Sequence, residues 1–277
     1  MSAVPTITLN NGVSIPQLGF GVFQIDPDDT KDATLAALEV GYRHIDTAEM
    51  YGNEAQVGEA VRASGIDRDD IFVTSKLNNS FHAYGEALGA FDQTLKDLAF
   101  DYLDLFLVHW PLPGVGDFVE TWKAMEEIYR SGRVRAVGVS NFQKHHLQRL
   151  FDETEIVPAV NQIEVHPYLV QDELRAFGTE HGIPTEAWSP LGRGAVLEEH
   201  TLEQIAKRHE RTPAQVTLRW HLQRGDIVFP KSINRHRMEE NFDVFGFDLS
   251  QDEIAEISAL NRDERIGPDP DTFNYVP

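Results

Sequence analysis

The sequence predicts a single α/β domain, residues 1–277, built as a (β/α)8 barrel. Short apolar runs typical of buried strands alternate with amphipathic helical stretches along the whole chain. Eight such strand-then-helix units follow one another, and no linker rich in proline or serine interrupts them. The competing architecture is an open doubly wound sheet, which normally carries Gly-x-Gly-x-x-Gly after its first strand. The stretch "GFGVFQ" has only the first two of those glycines, so the barrel is favoured.

The eight predicted strands are short and mostly apolar, as expected for strands that are covered on both faces. In chain order they are 18–21, 42–46, 71–76, 104–109, 134–140, 159–164, 184–188 and 226–230. Ahead of them, the stretch "TITLNNGVSI" (6–15) predicts a β-hairpin with Asn-Gly at its turn. We expect this hairpin to close the bottom of the barrel.

The helices between the strands are indicated by apolar residues at steps of three and four. In 118–129 one helical stripe consists of Phe118, Val119, Trp122, Met125 and Tyr129. The same spacing recurs later in the chain, at Leu174 and Phe177 and again at Ile254, Ile257 and Leu260. These stripes predict helices that pack against the sheet.

The composition argues against several classes of function. The chain has no cysteine, which excludes disulfides, thiolate nucleophiles and cysteine-based zinc sites. Its formal charge of −21 argues against nucleic acid or an anionic membrane as the main partner. No apolar run approaches the roughly 20 residues of a membrane span, and "MSAVPTITLNNG" lacks the features of a signal peptide. We therefore expect a cytoplasmic protein, in which an anionic ligand would need a locally basic pocket.

Seven of the eight predicted strands end in residues suited to catalysis or ligand binding. In a barrel of parallel strands, the C-terminal strand ends meet at one face, where active sites lie. The residues at these ends are Asp46, Lys76, His109, Ser140 with Asn141, Gln162, Trp188 with Ser189, and Lys231. The sequence therefore predicts a functional site at this face.

Four of the residues near this face suggest the reduction of a carbonyl group. Tyr51 follows Asp46 by five residues in "DTAEMYGNE", so a short loop would return its phenol to the same face. The ordinary pKa of a phenol is about 10. We expect Lys76 to lower that pKa and Asp46 to keep Lys76 charged. Tyr51 would then donate a proton to a carbonyl oxygen oriented by His109, while a hydride source attacks the carbon.

Several long motifs, in the same order, resemble those of the aldo-keto reductase superfamily. The stretch "GYRHIDTAEMYGNE" (41–54) is similar to its first signature, and "LVHWP" (107–111) to the strand that carries its active-site histidine. The series is completed by "GVSNF" (138–142), "NQIEVHP" (161–167), "SPLGRG" (189–194) and "PKSINRHRMEEN" (230–241). The resemblance implies a TIM barrel that binds NAD(P)H across its mouth without a Rossmann domain. Among its members, the chain looks most like bacterial ones such as the 2,5-diketo-D-gluconate reductases.

Carried over by motif, the resemblance makes Tyr51 the general acid, supported by Asp46, Lys76 and His109. It places the nicotinamide carboxamide against Ser140, Asn141 and Gln162, and the nicotinamide ring against Trp188. The loop over the pyrophosphate would consist of Ser189, Leu191 and Gly192. The adenosine end would lie against Lys231, Ser232, Asn234, Arg237 and Asn241. The cations among them suit a 2′-phosphate, so NADPH is expected as the cofactor in preference to NADH.

Two departures from the family's pattern concern the substrate pocket. Asn78 stands where many members have tryptophan, so we expect a pocket that is wider or more polar on that side. The segment 261–277 after the last helix is short and acidic, and the corresponding segment of the family helps to set substrate choice. The remaining pocket wall is expected to include Phe23, Tyr51 and Trp110.

Three functions are compatible with the sequence. The leading one is a monomeric NADPH-dependent reductase of the alcohol dehydrogenase (NADP+) type, without a metal, acting on aldehydes, ketones or keto-sugar acids such as 2,5-diketo-D-gluconate. The second is a barrel that binds NADP(H) only for regulation, which the intact set of Asp46, Tyr51, Lys76 and His109 disfavours. The third is a metal-dependent hydrolase, which would need histidine and carboxylate ligands at several strand ends. Mainly one such histidine, His109, stands there.

Overall fold

In a computed structural model, residues 4–277 are described, and residues 1–3 of the predicted domain lie outside the described residues. The chain forms an antiparallel hairpin, β1–β2, followed by one sheet of eight parallel strands, β3 to β10. The strands are β1 (Thr6–Thr8), β2 (Ser14–Pro16), β3 (Phe20–Gly21), β4 (His44–Asp46), β5 (Phe72–Leu77), β6 (Leu103–Val108), β7 (Val134–Ser140), β8 (Asn161–Glu164), β9 (Thr185–Trp188) and β10 (Ile227–Val228).

The parallel sheet closes on itself, which makes it a barrel. Each strand from β3 to β10 pairs in parallel with the next one along the chain. The two remaining edges meet where Leu18 forms a parallel bridge with Val228, and the Gly19 N–H donates to the Val228 carbonyl at 2.8 Å. Closure leaves no open sheet edge. The predicted barrel is confirmed, and its strands begin and end within two residues of the predicted limits.

The hairpin lies at the N-terminal ends of the strands, at the end of the barrel opposite the predicted site. The side-chain amide of Asn10 donates to the carbonyl of Pro158, just before β8, at 2.9 Å. Leu9 and Ile15 are buried in a cluster with the inward-facing apolar residues of the lower barrel. The hairpin therefore closes the bottom of the barrel, as the sequence predicts.

Ten helices of the described chain cover the outside of the barrel. They are α1 (Pro27–Val40), α2 (Glu54–Ala63), α3 (Tyr84–Leu98), α4 (Phe118–Arg130), α5 (Lys144–Glu153), α6 (Asp172–Glu180), α7 (His200–His209), α8 (Pro213–Gln223), α9 (Arg235–Phe242) and α10 (Gln251–Ser258). Their starts follow local rules. In α8, Pro213 occupies the first turn, and Thr212 and Gln215 exchange backbone and side-chain hydrogen bonds as a capping box. Within this part of the chain, no helix has the length and apolar character that crossing a membrane requires.

A close contact fixes α2 against the end of α3. Gly58, in α2, faces the carbonyl oxygen of Leu98, and a methyl group on Gly58 would lie 2.0 Å from that oxygen. Gly89, in the middle of α3, is exposed. A methyl group added there would have no atom of the neighbouring described residues within 4 Å. Glycine is therefore required for packing at position 58, whereas at position 89 it only weakens the helix.

The two glycines should respond in opposite directions to the same substitution. We expect Gly58→Ala to lower the free energy of unfolding by about 1–3 kcal/mol, because the added methyl group overpacks the contact. Gly89→Ala should raise it by about 0.5–1 kcal/mol, because alanine is the better helix former. Urea denaturation of both variants measures the two changes. A shift of the same sign in both variants would contradict the contact between α2 and α3.

Candidate active site

A buried ion pair between Lys76 and Asp46 lies at the C-terminal end of β4 and β5. The Lys76 Nζ donates to both carboxylate oxygens of Asp46, at 2.8 and 2.9 Å, and to the carbonyl oxygen of Thr47 at 2.8 Å. The Lys76 side chain has no exposed surface. Burial acts to lower the pKa of Lys76, but the negative charge of Asp46 raises it above its ordinary value. Lys76 is therefore an ammonium at neutral pH.

The phenol of Tyr51 lies beside this ammonium. A short 3-10 turn, Glu49–Tyr51, follows β4 and ends at Gly52, whose φ of +67° suits glycine. This turn brings the Tyr51 Oη to 3.4 Å from the Lys76 Nζ. Burial raises the pKa of Tyr51, and the opposing effect of Lys76 is smaller, so the lowered pKa expected from the sequence is not found. Because burial has the larger effect, the net shift is upward, and the phenol holds its proton at neutral pH.

His109 lies near the phenol, directly after the end of β6. Its ring centre is 5.9 Å from that of Tyr51, and the two rings meet edge to face. Burial, together with the charge of Lys76, holds the pKa of His109 well below its ordinary value, so the imidazole is neutral. Its Nδ1 is buried without a hydrogen-bond partner among residues 4–277. The ring nitrogen left to face the mouth is therefore Nε2.

Hydrogen bonds join the ends of β7 and β9 next to His109. Asn141 adopts a left-handed φ of +65°, which asparagine tolerates better than most residues. Its Nδ2 donates to the His109 carbonyl at 3.0 Å and to the Ser140 Oγ at 3.1 Å. Its Oδ1 accepts from the Trp188 Nε1 at 2.9 Å. These contacts hold the partly exposed indole of Trp188 in one orientation.

Gln162, on β8, connects the ion pair with a second buried acid. Its Nε2 donates to the Asp46 Oδ2 at 2.9 Å and to the Glu186 Oε2 at 3.1 Å. Glu186 lies on β9 directly across from Gln162 and has no exposed surface. Both donors of the Gln162 amide are thus engaged inside the barrel. Its amide oxygen accepts no hydrogen bond among the described residues and is available to a ligand.

The remaining predicted cofactor residues follow β9 and β10, which are neighbours in the barrel. The loop after β9 turns sharply, because Ser189 and Gly192 have φ angles of +49° and +55°. Leu191, between them, is partly exposed. The segment after β10 leads into the N-terminus of α9, where Asn234 accepts a hydrogen bond from the Arg237 backbone N–H at 3.3 Å. The sequence reasoning placed all of these residues in the cofactor cleft.

The start of α9 has the character of an anion site. Lys231 and Arg237 are exposed, and neither forms an ion pair within the part of the chain that the structure describes, whereas Arg235 between them pairs with Glu39 and Glu239. Ser232 and Asn241, nearby, are buried. Free cations beside a helix N-terminus fit a phosphate group.

The C-terminal segment, residues 261–277, is attached to the same face of the barrel. The Glu164 carboxylate, on β8, accepts from the backbone N–H groups of Ile266 at 2.6 Å and Gly267 at 2.9 Å. Gly267 packs so closely on Trp188 that a methyl group there would lie 2.4 Å from the indole. Burial acts to raise the pKa of Glu164, but its hydrogen bonds with His166, Ile266 and Gly267 hold that pKa below its usual range. The segment is thus fixed beside Trp188.

The three predicted substrate residues lie in different environments. Phe23 is 44% exposed, and its ring centre is 5.0 Å from that of Tyr51, so it remains accessible to a substrate. Trp110 is largely buried, because Phe273 of the C-terminal segment packs on it with ring centres 4.3 Å apart. Asn78 donates to Glu49 and accepts from the Ser80 backbone N–H. Both polar ends of Asn78 are therefore engaged by neighbours.

Comparison with known proteins decides the family. A sequence model of the Aldo/keto reductase family matches residues 17–262. The chain belongs to the aldo/keto reductase family. It is 53% identical to an aldo-keto reductase of Mycolicibacterium smegmatis over 98% of this chain and 99% of that protein. It is 48% identical to the glyoxal reductase of Bacillus subtilis, over 98% of both chains.

A solved structure supports the same assignment. The structure of a Bombyx mori aldo-keto reductase in complex with NADP matches this chain with a TM-score of 0.93 at 35% identity. The match covers 100% of this chain and 99% of the Bombyx mori protein. The family resemblance predicted from the motifs is therefore confirmed.

The described residues of this aldo-keto reductase do not form the metal centre that a barrel hydrolase needs. Within residues 4–277, possible ligand atoms of His145, His146 and Asp271 lie within 4.8 Å of one another, at the start of α5 rather than at several strand ends. The Gln143 N–H donates to the His146 Nδ1 at 3.1 Å. The neutral ring therefore carries its proton on Nε2, the nitrogen that faces Asp271, and this protonation opposes metal binding.

The sequence reasoning missed three residues of this reductase's site: Glu164, Glu186 and Phe273. A signal existed for the two acids, because each lies within a short strand that the sequence predicts to be covered on both faces, in "NQIE" and "TEAW". A buried acid must find hydrogen-bond donors or remain protonated. Phe273 carried no comparable signal, since its contact with Trp110 depends on the path of the C-terminal segment.

Proposed function

We propose that this chain is an NADPH-dependent reductase of aldehydes and ketones. The observation that carries the proposal is the contact between the Tyr51 phenol and the Lys76 ammonium, which Asp46 holds in place. The whole chain would act as one domain and as a monomer in the cytoplasm, without a metal. The NADP complex of the Bombyx mori relative supports the choice of cofactor.

The residues of the chain provide the proton that the reaction needs. Tyr51 is protonated at neutral pH, because burial raises its pKa, and it acts as the proton donor. As the proton leaves, the Lys76 ammonium stabilises the phenolate that remains. The neutral His109 donates from Nε2 to the carbonyl oxygen of the substrate and holds it near the phenol.

The cleft residues orient the cofactor. NADPH, when bound, supplies the hydride that the carbonyl carbon receives. We assign the binding of its carboxamide to the ends of β7 and β8, at Ser140, Asn141 and Gln162. The free amide oxygen of Gln162 suits the N–H groups of a carboxamide. Trp188, whose orientation Asn141 fixes, would cover one face of the nicotinamide ring.

The residues after β9 and β10 would bind the other end of the cofactor. The turn containing Ser189, Leu191 and Gly192 would enclose the pyrophosphate. Lys231 and Arg237 would bind the 2′-phosphate, and the adenosine would lie against Ser232, Asn234 and Asn241. Lys231 and Arg237, which form no ion pair within residues 4–277, would distinguish NADPH from NADH, because NADH has no 2′-phosphate to pair with them.

Small uncharged carbonyl compounds are the preferred substrate class. Glu49 lies two residues before Tyr51, beside Asn78, and the chain has a net charge of −21. Both features disfavour a substrate that carries a carboxylate, such as a keto-sugar acid. The similarity to a glyoxal reductase supports the same choice. We therefore place glyoxal-type dicarbonyls first and 2,5-diketo-D-gluconate second.

The proposal is tested by following the loss of NADPH absorbance with a panel of carbonyl compounds, with and without EDTA. We expect glyoxal-type compounds to be reduced and EDTA to have no effect. NADPH binding without turnover of any carbonyl would support a regulatory barrel instead. Activity that EDTA removes and zinc restores would support a metal-dependent enzyme and contradict the proposal.

Replacement of the proton donor should separate chemistry from cofactor binding. Tyr51→Phe should lower kcat by about 10²–10⁴-fold, the usual contribution of general acid catalysis, and should leave the Kd for NADPH nearly unchanged. Steady-state kinetics and fluorescence titration measure the two quantities. Tyr84→Phe, which removes the hydroxyl of an exposed tyrosine, is the matched control. Full activity in Tyr51→Phe would remove the phenol from the mechanism.

Replacement of the proposed 2′-phosphate ligand should affect the two cofactors differently. Arg237→Ala should weaken NADPH binding by about 1–3 kcal/mol, the scale of a hydrogen bond to a charged group, and NADH binding much less. Arg235→Ala, which removes a neighbouring arginine already paired with Glu39, should change neither affinity. Equal losses for NADPH and NADH in Arg237→Ala would contradict recognition of the 2′-phosphate.

A further inference from the structure

Glu186 is a buried acid for which the proposed reaction has no obvious use. It has no exposed surface, and it forms no ion pair within residues 4–277. Its Oε2 accepts from the Gln162 Nε2 at 3.1 Å, and its Oε1 is buried without a partner in the described chain. An ionised carboxylate in this position would lack the partners that a buried charge requires.

We propose that Glu186 is a positioning residue that acts as an uncharged acid: it holds the Gln162 amide toward the cofactor and leaves Asp46 as the sole counter-ion of Lys76. This inference rests on the proposed reductase function and adds to it. Among the described residues, Glu186 has no hydrogen bond with Tyr51, so its effect would reach the reaction through Gln162 and through the net charge of the site.

The orientation of Gln162 depends on having two acceptors beneath it. Its amide N–H groups donate to Asp46 on one side and to Glu186 on the other. With both donors engaged, the amide oxygen is the atom presented to the mouth, where it can accept from a carboxamide. Without Glu186, Asp46 alone would hold the amide, and the oxygen and nitrogen could exchange places at lower cost.

The charge state of Glu186 sets the net charge around the phenol. The charged groups that face it are Asp46 from β4 and Lys76 from β5, while Gln162 on β8 and Ile227 on β10 are its uncharged neighbours in register. With Glu186 protonated, the pair of Asp46 and Lys76 is neutral. An ionised Glu186 would add a negative charge to the site in which the carbonyl oxygen develops one, and would slow the reaction.

Burial and the charge of Asp46 support the uncharged form at neutral pH. Burial raises the pKa of Glu186 to about 8, and Asp46 contributes in the same direction. The active form is the protonated one, so activity is retained below this pKa and is lost as the pH rises through it. The wild-type enzyme should therefore lose turnover above about pH 8, in addition to any loss caused by Tyr51.

The test compares Glu186→Gln, Glu186→Leu and the wild type between pH 6 and pH 9. The wild-type kcat should fall about tenfold from pH 7 to pH 9, as expected for a required proton with a pKa of about 8. Glu186→Gln, which is permanently uncharged, should keep its kcat within about twofold over that range. Glu186→Leu should raise the Kd for NADPH about fivefold, the equivalent of one hydrogen bond.

Glu54→Gln is the matched control. Glu54 is a second buried acid whose pKa burial raises to about 8, but it accepts from Ser75 and Thr94 rather than from a residue of the cleft. We expect this variant to keep the pH profile of the wild type. The proposal would be overturned if kcat of Glu54→Gln no longer fell at high pH. It would also be overturned if kcat of Glu186→Gln fell at high pH as it does in the wild type.

Infrared spectroscopy provides a readout that does not depend on turnover. The difference spectrum between the wild type and Glu186→Gln at pH 7 should contain the carbonyl band of a protonated carboxylic acid. A carboxylate band in its place would overturn the proposal even if Glu186→Leu does not fold. Absence of turnover in the wild type would contradict the reductase function. The infrared band would still show whether Glu186 is protonated, and the Kd for NADPH would still show whether Glu186 affects cofactor binding.

Discussion

The buried ion pair between Lys76 and Asp46 is the interaction on which the rest of the site depends. A lysine without exposed surface keeps its charge only because the Asp46 carboxylate and the Thr47 carbonyl surround its Nζ. The pair also places its neighbours: the Tyr51 phenol lies 3.4 Å from the ammonium, and Asp46 accepts from the Gln162 amide. The proton donor and the proposed cofactor contact are therefore positioned by the same two charges.

The barrel explains how residues so distant in sequence come together. Parallel closure brings the ends of β4, β5, β8 and β9 to one face, with their polar side chains directed inward. The hairpin closes the opposite end, so the apolar residues of the lower barrel stay covered. At the mouth, Glu164 fixes the C-terminal segment, and Phe273 covers Trp110. The C-terminal segment thus covers part of the site at the mouth of the barrel.

The sequence predicted the barrel and its catalytic face because alternating strands and helices leave few topologies, and parallel strands end at one face. The position of Tyr51 followed from its spacing after Asp46. The contact of Glu164 with Ile266 could not be predicted, because it joins residues about 100 positions apart and has no local pattern. The net upward shift in the pKa of Tyr51 could not be predicted either, because it depends on burial by the folded chain. The sequence shows which side chains can carry a charge, but it does not show which of them are buried.

The account is tested most directly by titrating the Lys76 ammonium itself. NMR of protein labelled at the lysine Cε carbon reports the protonation of Lys76 in the wild type and in Asp46→Asn. In the wild type, the carboxylate should keep Lys76 protonated beyond the ordinary lysine pKa of about 10.4. In Asp46→Asn, burial acts without that counter-charge, and the pKa should fall by about 2 units or more. Titration of Lys76 at the same pH in both proteins would contradict the account.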